Sequence, residues 1–201
     1  MIIIDDIDQG SPEWHEMKLG IISSSNFGRV ITPTGKRANT QYLTELAIER
    51  ITGEPYSNYV SYDMLRGTEL QPEATRAYEF VEGVQVREVA FCWLDDTKTI
   101  GSSTDGLVGD DGVLEIKCPK GTTHVKYLLE NELPLEYKPQ VQGEMYVTDR
   151  EWCDFMSYYP GLKPFIKRVY RDEKYIQQMA RYLKEAVEEL HELTIKLGGK
   201  P

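Results

Sequence analysis

Asp105, Glu115 and Lys117 are the residues of this sequence whose types and spacing best fit joint chemistry. They lie in Gly101-Ser-Ser-Thr-Asp105-Gly-Leu-Val-Gly-Asp-Asp-Gly-Val-Leu-Glu115-Ile-Lys117-Cys118-Pro119, an Asp followed after nine residues by Glu-x-Lys. Val113, Leu114, Ile116 and Cys118 make the surrounding run read as a buried strand. Side chains two apart on a strand share a face, so Glu115 and Lys117 are neighbours and Ile116 packs on the other side. A charged pair facing a core is costly unless something compensates it. A divalent cation and a phosphate would do so. Asp110-Asp111-Gly112 is a turn signal, which lets Asp105 approach a hairpin whose return strand carries Glu115. Two carboxylates and the Ile116 carbonyl then suit a hard cation such as Mg²⁺. Lys117 would hold the attacking water and offset phosphate charge. This is the physical case for a metal-dependent phosphodiesterase. The same three residues also fit an exposed hairpin with a cross-strand ion pair, and alone they do not choose between the two.

A helix expected from Lys138 to about Val147 carries Gln142 and Tyr146, four apart and therefore on one face. Facing Glu115 and Lys117, the amide would reach a phosphate oxygen and the ring would support it. Taken alone, the pair reads as a surface amide beside a packed tyrosine.

The elements that must position these groups follow from periodicity. Residues 2–5 suggest an edge strand. Ser11-Pro12-Glu13 starts a short buried helix through Trp14 and Met17, ended by Gly20. Ser23 to Asn26 cap a second short helix through Ile31. Helices are expected at 39–52, closed by Gly53, and at about 63–82, interrupted or entered at Pro72. Strands follow at 84–89, 90–94, 97–102 and 113–118, and then a helix at 124–130. After the Lys138 helix come strands at 152–159 and 165–170. A C-terminal helix from Asp172-Glu173 carries a core stripe of Tyr175, Met179, Leu183, Ala186 and Leu190. This order predicts an α/β fold in a single domain spanning 1–201, a mixed sheet flanked by helices.

Composition bounds the function without naming it. The chain has 201 residues, 33 acidic and 23 basic, for a net charge of −10. That balance disfavours broad nucleic-acid adhesion and leaves a locally basic groove open. No apolar run reaches membrane length, so no membrane association is expected. The start Met-Ile-Ile-Ile-Asp-Asp lacks the pattern of a signal peptide. Cys92, Cys118 and Cys153 lack metal spacing and read as free thiols in a reducing cytoplasm. Trp14, Trp93 and Trp152 read as core, and Lys36 and Arg37 lie in a basic loop that reads equally as a DNA contact or as a solvated flexible loop. Tyr56, Tyr59 and Tyr62 form a tyrosine-rich stretch without an assigned role.

Taken in order, Asp105, Glu115-x-Lys117 and Gln142-x-x-x-Tyr146 resemble the PD-(D/E)XK nuclease core with its trailing Gln motif. The whole chain resembles the bacteriophage lambda exonuclease and YqaJ-type viral recombinase family. Glu13-Trp14-His15, Lys18 to Ser25, Gly67 with Glu79-Phe80, Ser103 to Leu107, Leu114 to Pro119, Gln140-Val141-Gln142 and Arg171 to Tyr175 carry the likeness over roughly residues 10–190. The resemblance implies a restriction-endonuclease-like core and a Mg²⁺-dependent exonuclease using one or two ions, with Mn²⁺ an acceptable substitute. Such an enzyme digests one strand of linear double-stranded DNA from the 5′ end and leaves 3′ overhangs. It implies a ring-shaped homotrimer working with a single-strand annealing protein in the cytoplasm of a bacterial host. Carried over by position, Asp105, Glu115 and the Ile116 carbonyl bind metal, Lys117 activates water and Gln142 assists at the phosphate. Lys18, Ser25 and Ser103 map to a 5′-phosphate pocket, where the family has Arg in place of Lys18. Gln71 stands where the family has an acid, which weakens a second metal position and leaves Gln71 a supporting residue. The alternatives are a restriction-like endonuclease and a catalytically impaired DNA-binding subunit.

Overall fold

The chain crosses from one sheet to another at Ser103-Thr104-Asp105, and that crossing positions the site. The structure, a computed structural model, describes residues 1–38, 41–57 and 61–199. Tyr59 and the side chain of Tyr62 lie outside what it describes. In order, the elements are β1 (Ile2–Ile4), α1 (Pro12–Met17), β2 (Ile22–Ser23), a 3-10 segment (Ser24–Arg29), α2 (Gln41–Thr52) and α3 (Tyr62–Glu82). There follow β3 (Val86–Arg87), β4 (Phe91–Trp93), β5 (Ile100–Ser102), β6 (Gly106–Val108), β7 (Gly112–Lys117) and α4 (Gly121–Glu130). A 3-10 turn (Leu135–Tyr137), α5 (Lys138–Thr148), β8 (Trp152–Ser157), β9 (Phe165–Tyr170) and α6 (Glu173–Lys196) complete the chain. The strands form two mixed sheets, ordered β1-β4-β5-β2 and β3-β6-β7-β8-β9, flanked by helices.

Strand β7 organises the larger sheet. Leu114 and Ile116 face α3 and pack with Ala74 and Tyr78. Val113, on the opposite face, packs with Val141, Met145 and Phe155. The period-2 alternation thus puts Glu115 and Lys117 on the α5 side. β7 and β8 are parallel, from Gly112↔Trp152 to Lys117↔Ser157. A parallel pair needs a crossover, and α4 and α5 provide it. Gly143 sets the depth of α5, since a Cβ there would lie 2.3 Å from the Phe27 ring. Arg150 ties the β6–β7 hairpin, its Nη1 donating to the carbonyls of Gly112 at 2.7 Å and Gly109 at 2.9 Å. The second core joins α2 and α6 through Leu43, Leu46, Leu183 and Leu190.

Several expectations change in detail. Helix α1 is capped by Ser11 but buries none of its residues; six residues cannot carry a buried stripe. Trp14 is held by its edge, its indole N–H donating to Ala90 O at 2.9 Å. Trp93 is buried, whereas Trp14 and Trp152 are half-buried. The segment after Ser23 is 3-10 without a side-chain cap. Helix α3 runs through Pro72. Cys92, Cys118 and Cys153 are free and buried. Burial pushes the thiols of Cys92 and Cys118 up to about 11 and that of Cys153 well above its ordinary value. Among the described residues no helix is long and apolar enough to cross a membrane.

Candidate active site

β6 begins at Gly106, so the ladder beside β7 stops one residue short of Asp105. The N–H of Ile116 then has no strand carbonyl to meet, and Asp105 Oδ2 accepts it at 2.6 Å. In an extended strand the N–H and C=O of one residue point to the same side, so the Ile116 carbonyl is directed toward Asp105 as well. Asp105 Oδ1 accepts from Gln71 Nε2 at 2.8 Å, which brings α3 into the site. Glu115, its side chain 3% exposed, is ion-paired with Lys117. Glu115 Oε1 also accepts from Gln140 Nε2 at 2.7 Å. The structure therefore brings Asp105, Glu115, Ile116, Lys117 and Gln71 together.

Charge is concentrated here. Desolvation, and then the charge of Glu115, push the Asp105 carboxyl up to about 8 despite Lys117 and the Ile116 N–H. Burial opposes the charged form of Lys117, but Glu115 and Asp105 together hold its pKa above the ordinary lysine value. Two mutually repelling carboxylates and a strand carbonyl form an all-oxygen donor set of the kind hard dications take. Among the described residues no group of three or more His, Cys, Asp or Glu side chains is arranged to hold a metal. The cation fit therefore rests on two carboxylates and the carbonyl of Ile116.

Gln142 is not part of this cluster. It is 2% exposed, donates to Tyr170 O at 2.9 Å and accepts from Asp172 N at 2.8 Å, so it joins β9 to the start of α6. Tyr146 shares that face and packs against the α2–α6 core. Gln140 is the amide at Glu115, and Glu144, one turn on, shares its face and its nitrogen at 3.0 Å. Gln142–Tyr146 and Gln140–Glu144 have the same spacing, and the second pair looks at the site. Tyr137 was also not read from sequence; its ring centroid lies 5.3 Å from Lys117 Nζ. Arg66 Nη1 holds the carbonyls of Cys118 and Pro119, each at 2.7 Å, and so fixes the chain just past Lys117.

A cleft of about 590 Å³ opens over this cluster, lined by Gln71, Ile116, Lys117, Lys120 and Tyr137 among others. A separate pocket of about 230 Å³ contains Lys18, Ser25, Asn26 and Arg29. Lys18 Nζ lies 3.6 Å from the Trp14 ring centroid, and desolvation lowers its pKa to about 8. Ser103 does not line that pocket, and its buried hydroxyl has no hydrogen-bond partner among the described residues. Arg37, in the basic loop, is tied to α6 by Glu189 at 3.0 Å and Tyr182 O at 3.1 Å. Lys36 is exposed.

Comparison with known proteins gives this geometry relatives. The crystal structure of an alkaline exonuclease (LHK-Exo) from Laribacter hongkongensis is 34% identical, with a TM-score of 0.84 over 93% of this chain and 96% of that one. The same protein in complex with dAMP matches with the same figures. A phage related exonuclease from Haemophilus somnus 129PT is 15% identical, with a TM-score of 0.71 over 89% of this chain and 96% of its own, a likeness of fold alone. A search of curated proteins finds no match. The fold is the restriction-endonuclease-like α/β type. A model of the YqaJ-like viral recombinase domain matches residues 13–151, and the chain belongs to that family.

Proposed function

We propose that this chain is a Mg²⁺-dependent exonuclease that degrades the 5′-ended strand of linear double-stranded DNA and leaves 3′ overhangs for recombination by single-strand annealing. The observation that carries the reading is the convergence of Asp105, Glu115 and Lys117, with Lys117 and Ile116 lining an open cleft. The 34% identical relative is an exonuclease, and one of its structures is in complex with dAMP, which supports a mononucleotide product. Asp105, Glu115 and the Ile116 carbonyl would hold the cation. When bound, it supplies charge neutralisation and polarisation of the phosphate. Lys117 holds the attacking water and meets charge developing on the phosphate oxygens. Gln140 fixes the Glu115 carboxylate, and Gln71 fixes that of Asp105. In-line attack then releases 5′-mononucleotides. The chain acts as one nuclease domain in a homotrimeric ring, in the bacterial cytoplasm, beside a single-strand annealing protein.

The deciding experiment uses linear duplex DNA labelled separately on each strand, with closed circular DNA alongside, in Mg²⁺. Loss of only the 5′-ended strand with the circle intact supports the reading. Cutting of the circle replaces it with an endonuclease. The absence of any release overturns the nuclease reading.

Lys18 and Ser25 are proposed to receive the terminal 5′-phosphate. Lys18 is charged below its pKa of about 8 and neutral above it. Preference for 5′-phosphorylated over 5′-hydroxyl ends is therefore expected to fall as pH rises through that value. Lys18→Arg, whose guanidinium stays charged, should flatten the profile. Initial rates on the two substrates across pH check this, and a parallel decline in the Arg variant would remove Lys18 from the role.

A further inference from the structure

We infer that Glu144 is a positioning residue that fixes the Gln140 amide and, through it, the Glu115 carboxylate; the inference rests on the nuclease reading above. Glu144 is 0% exposed, on a helix face flanked by the equally buried Val141 and Met145. Burying a carboxyl there is expensive, and an apolar residue would serve packing better. Its surroundings show what it does. Gln140 Nε2 donates to Glu144 Oε1 at 3.0 Å and to Glu115 Oε1 at 2.7 Å. An amide nitrogen carries two hydrogens, so each carboxyl group takes one. The amide oxygen is turned away from Glu115, against whose carboxylate a flipped amide would set oxygen on oxygen. Glu144 is thus the second of two acceptors that choose the orientation of Gln140.

Glu144 is itself anchored on its far side. Oε2 faces the Cys153 thiol, a weak donor, at 3.8 Å. Cys153 lies on β8, paired with Val113 of β7, so the anchor belongs to the sheet that carries Glu115. The chain of contacts runs from β8 through Glu144 and Gln140 back to β7. It closes a loop between helix and sheet that ends on the Glu115 carboxylate. Gly143, which lets α5 approach Phe27 closely, keeps the helix at the depth the loop requires. Replacing Glu144 with Gln gives residue 144 a donor and makes both amide orientations acceptable. Replacing it with Leu removes the second acceptor and keeps the bulk.

The test compares the parent with Glu144→Gln and Glu144→Leu in three measurements: Mn²⁺ affinity by calorimetry without DNA, kcat and KM on linear duplex, and melting temperature. Partners that orient a metal-holding side chain change affinity or activity by about 10–100-fold when removed, and Mn²⁺ binding is expected to weaken by about that factor. KM for DNA should stay within about twofold, with the loss in kcat. The melting temperature should be unchanged or higher, because removing a buried carboxyl relieves a cost. Unchanged Mn²⁺ affinity in both variants overturns the inference. So does a fall in melting temperature that accompanies every loss, since that is the signature of packing alone. A parent that binds Mn²⁺ but cuts no DNA removes the nuclease reading and leaves the Mn²⁺ comparison to decide the role of Glu144. A parent that binds no Mn²⁺ overturns both.

Discussion

Lys117→Met stops nucleotide release from linear duplex DNA and leaves DNA binding within a few-fold of the parent. Lys117 is the one cation in direct contact with Glu115 among the described residues, and both carboxylates hold it in the charged form despite burial. Methionine keeps the unbranched stem and removes only the ammonium. What is lost is a donor preorganised toward charge that develops in the transition state, typically about 10²–10³-fold in kcat for a single such group. Here the loss should exceed that range, because the variant also leaves Glu115 beside Asp105 without its compensating charge. Ground-state binding of duplex depends on the many backbone phosphates outside the cleft, so it should change little. Single-turnover release and equilibrium binding on the same duplex separate the two effects. Equal loss of both would assign Lys117 to binding.

Gln71→Glu should make the stability of the protein depend on Mg²⁺. In the parent the Gln71 amide donates to Asp105 Oδ1. A carboxylate at that position removes the donor and adds another carboxyl group beside Asp105 and Glu115. Loss of a partly buried hydrogen bond costs about 0.5–1.5 kcal/mol, and crowding the carboxyl groups has the same sign. Without divalent cations the variant should therefore melt below the parent. With Mg²⁺ the new carboxylate becomes an added anionic ligand, and the rise in melting temperature should exceed the parent's. Thermal scans with and without Mg²⁺ check this, and equal increments would show that position 71 does not reach the cation. The parent carries a weaker form of the same effect. Asp105 is raised from 3.8 to about 8 in the fold, so the folded state holds a proton that the unfolded state has released. Cation-free stability should fall as pH rises across that window, and Mg²⁺ should flatten the slope.

The legible part of the site was the part written along one strand. Glu115 and Lys117 interrupt an apolar alternation, and strand geometry alone puts them side by side. Asp105 was legible because a turn signal brings it back to that strand. The helix was harder. Periodicity shows that Gln142 and Tyr146 share a face, and equally that Gln140 and Glu144 do, but it does not say which face meets the sheet. The clue was Glu144, an acid between the apolar Val141 and Met145. The division into two sheets was hidden because β2 and β3 are two residues long and the crossing at Ser103-Thr104-Asp105 looks like continuing strand. Lys18 and Ser25 line one pocket, whereas the place of Ser103 depends on that crossing.

The three buried cysteines give the fold internal clocks. A thiol reacts as its thiolate, and these three are held protonated and covered. Alkylation of each must wait until the segment carrying it opens. Cys92 reports on β4 in the smaller sheet, Cys153 on β8 in the larger, and Cys118 on the chain just past Lys117. Their order of labelling in mild denaturant tells whether the two sheets come apart together, and whether the end of β7 loosens before either.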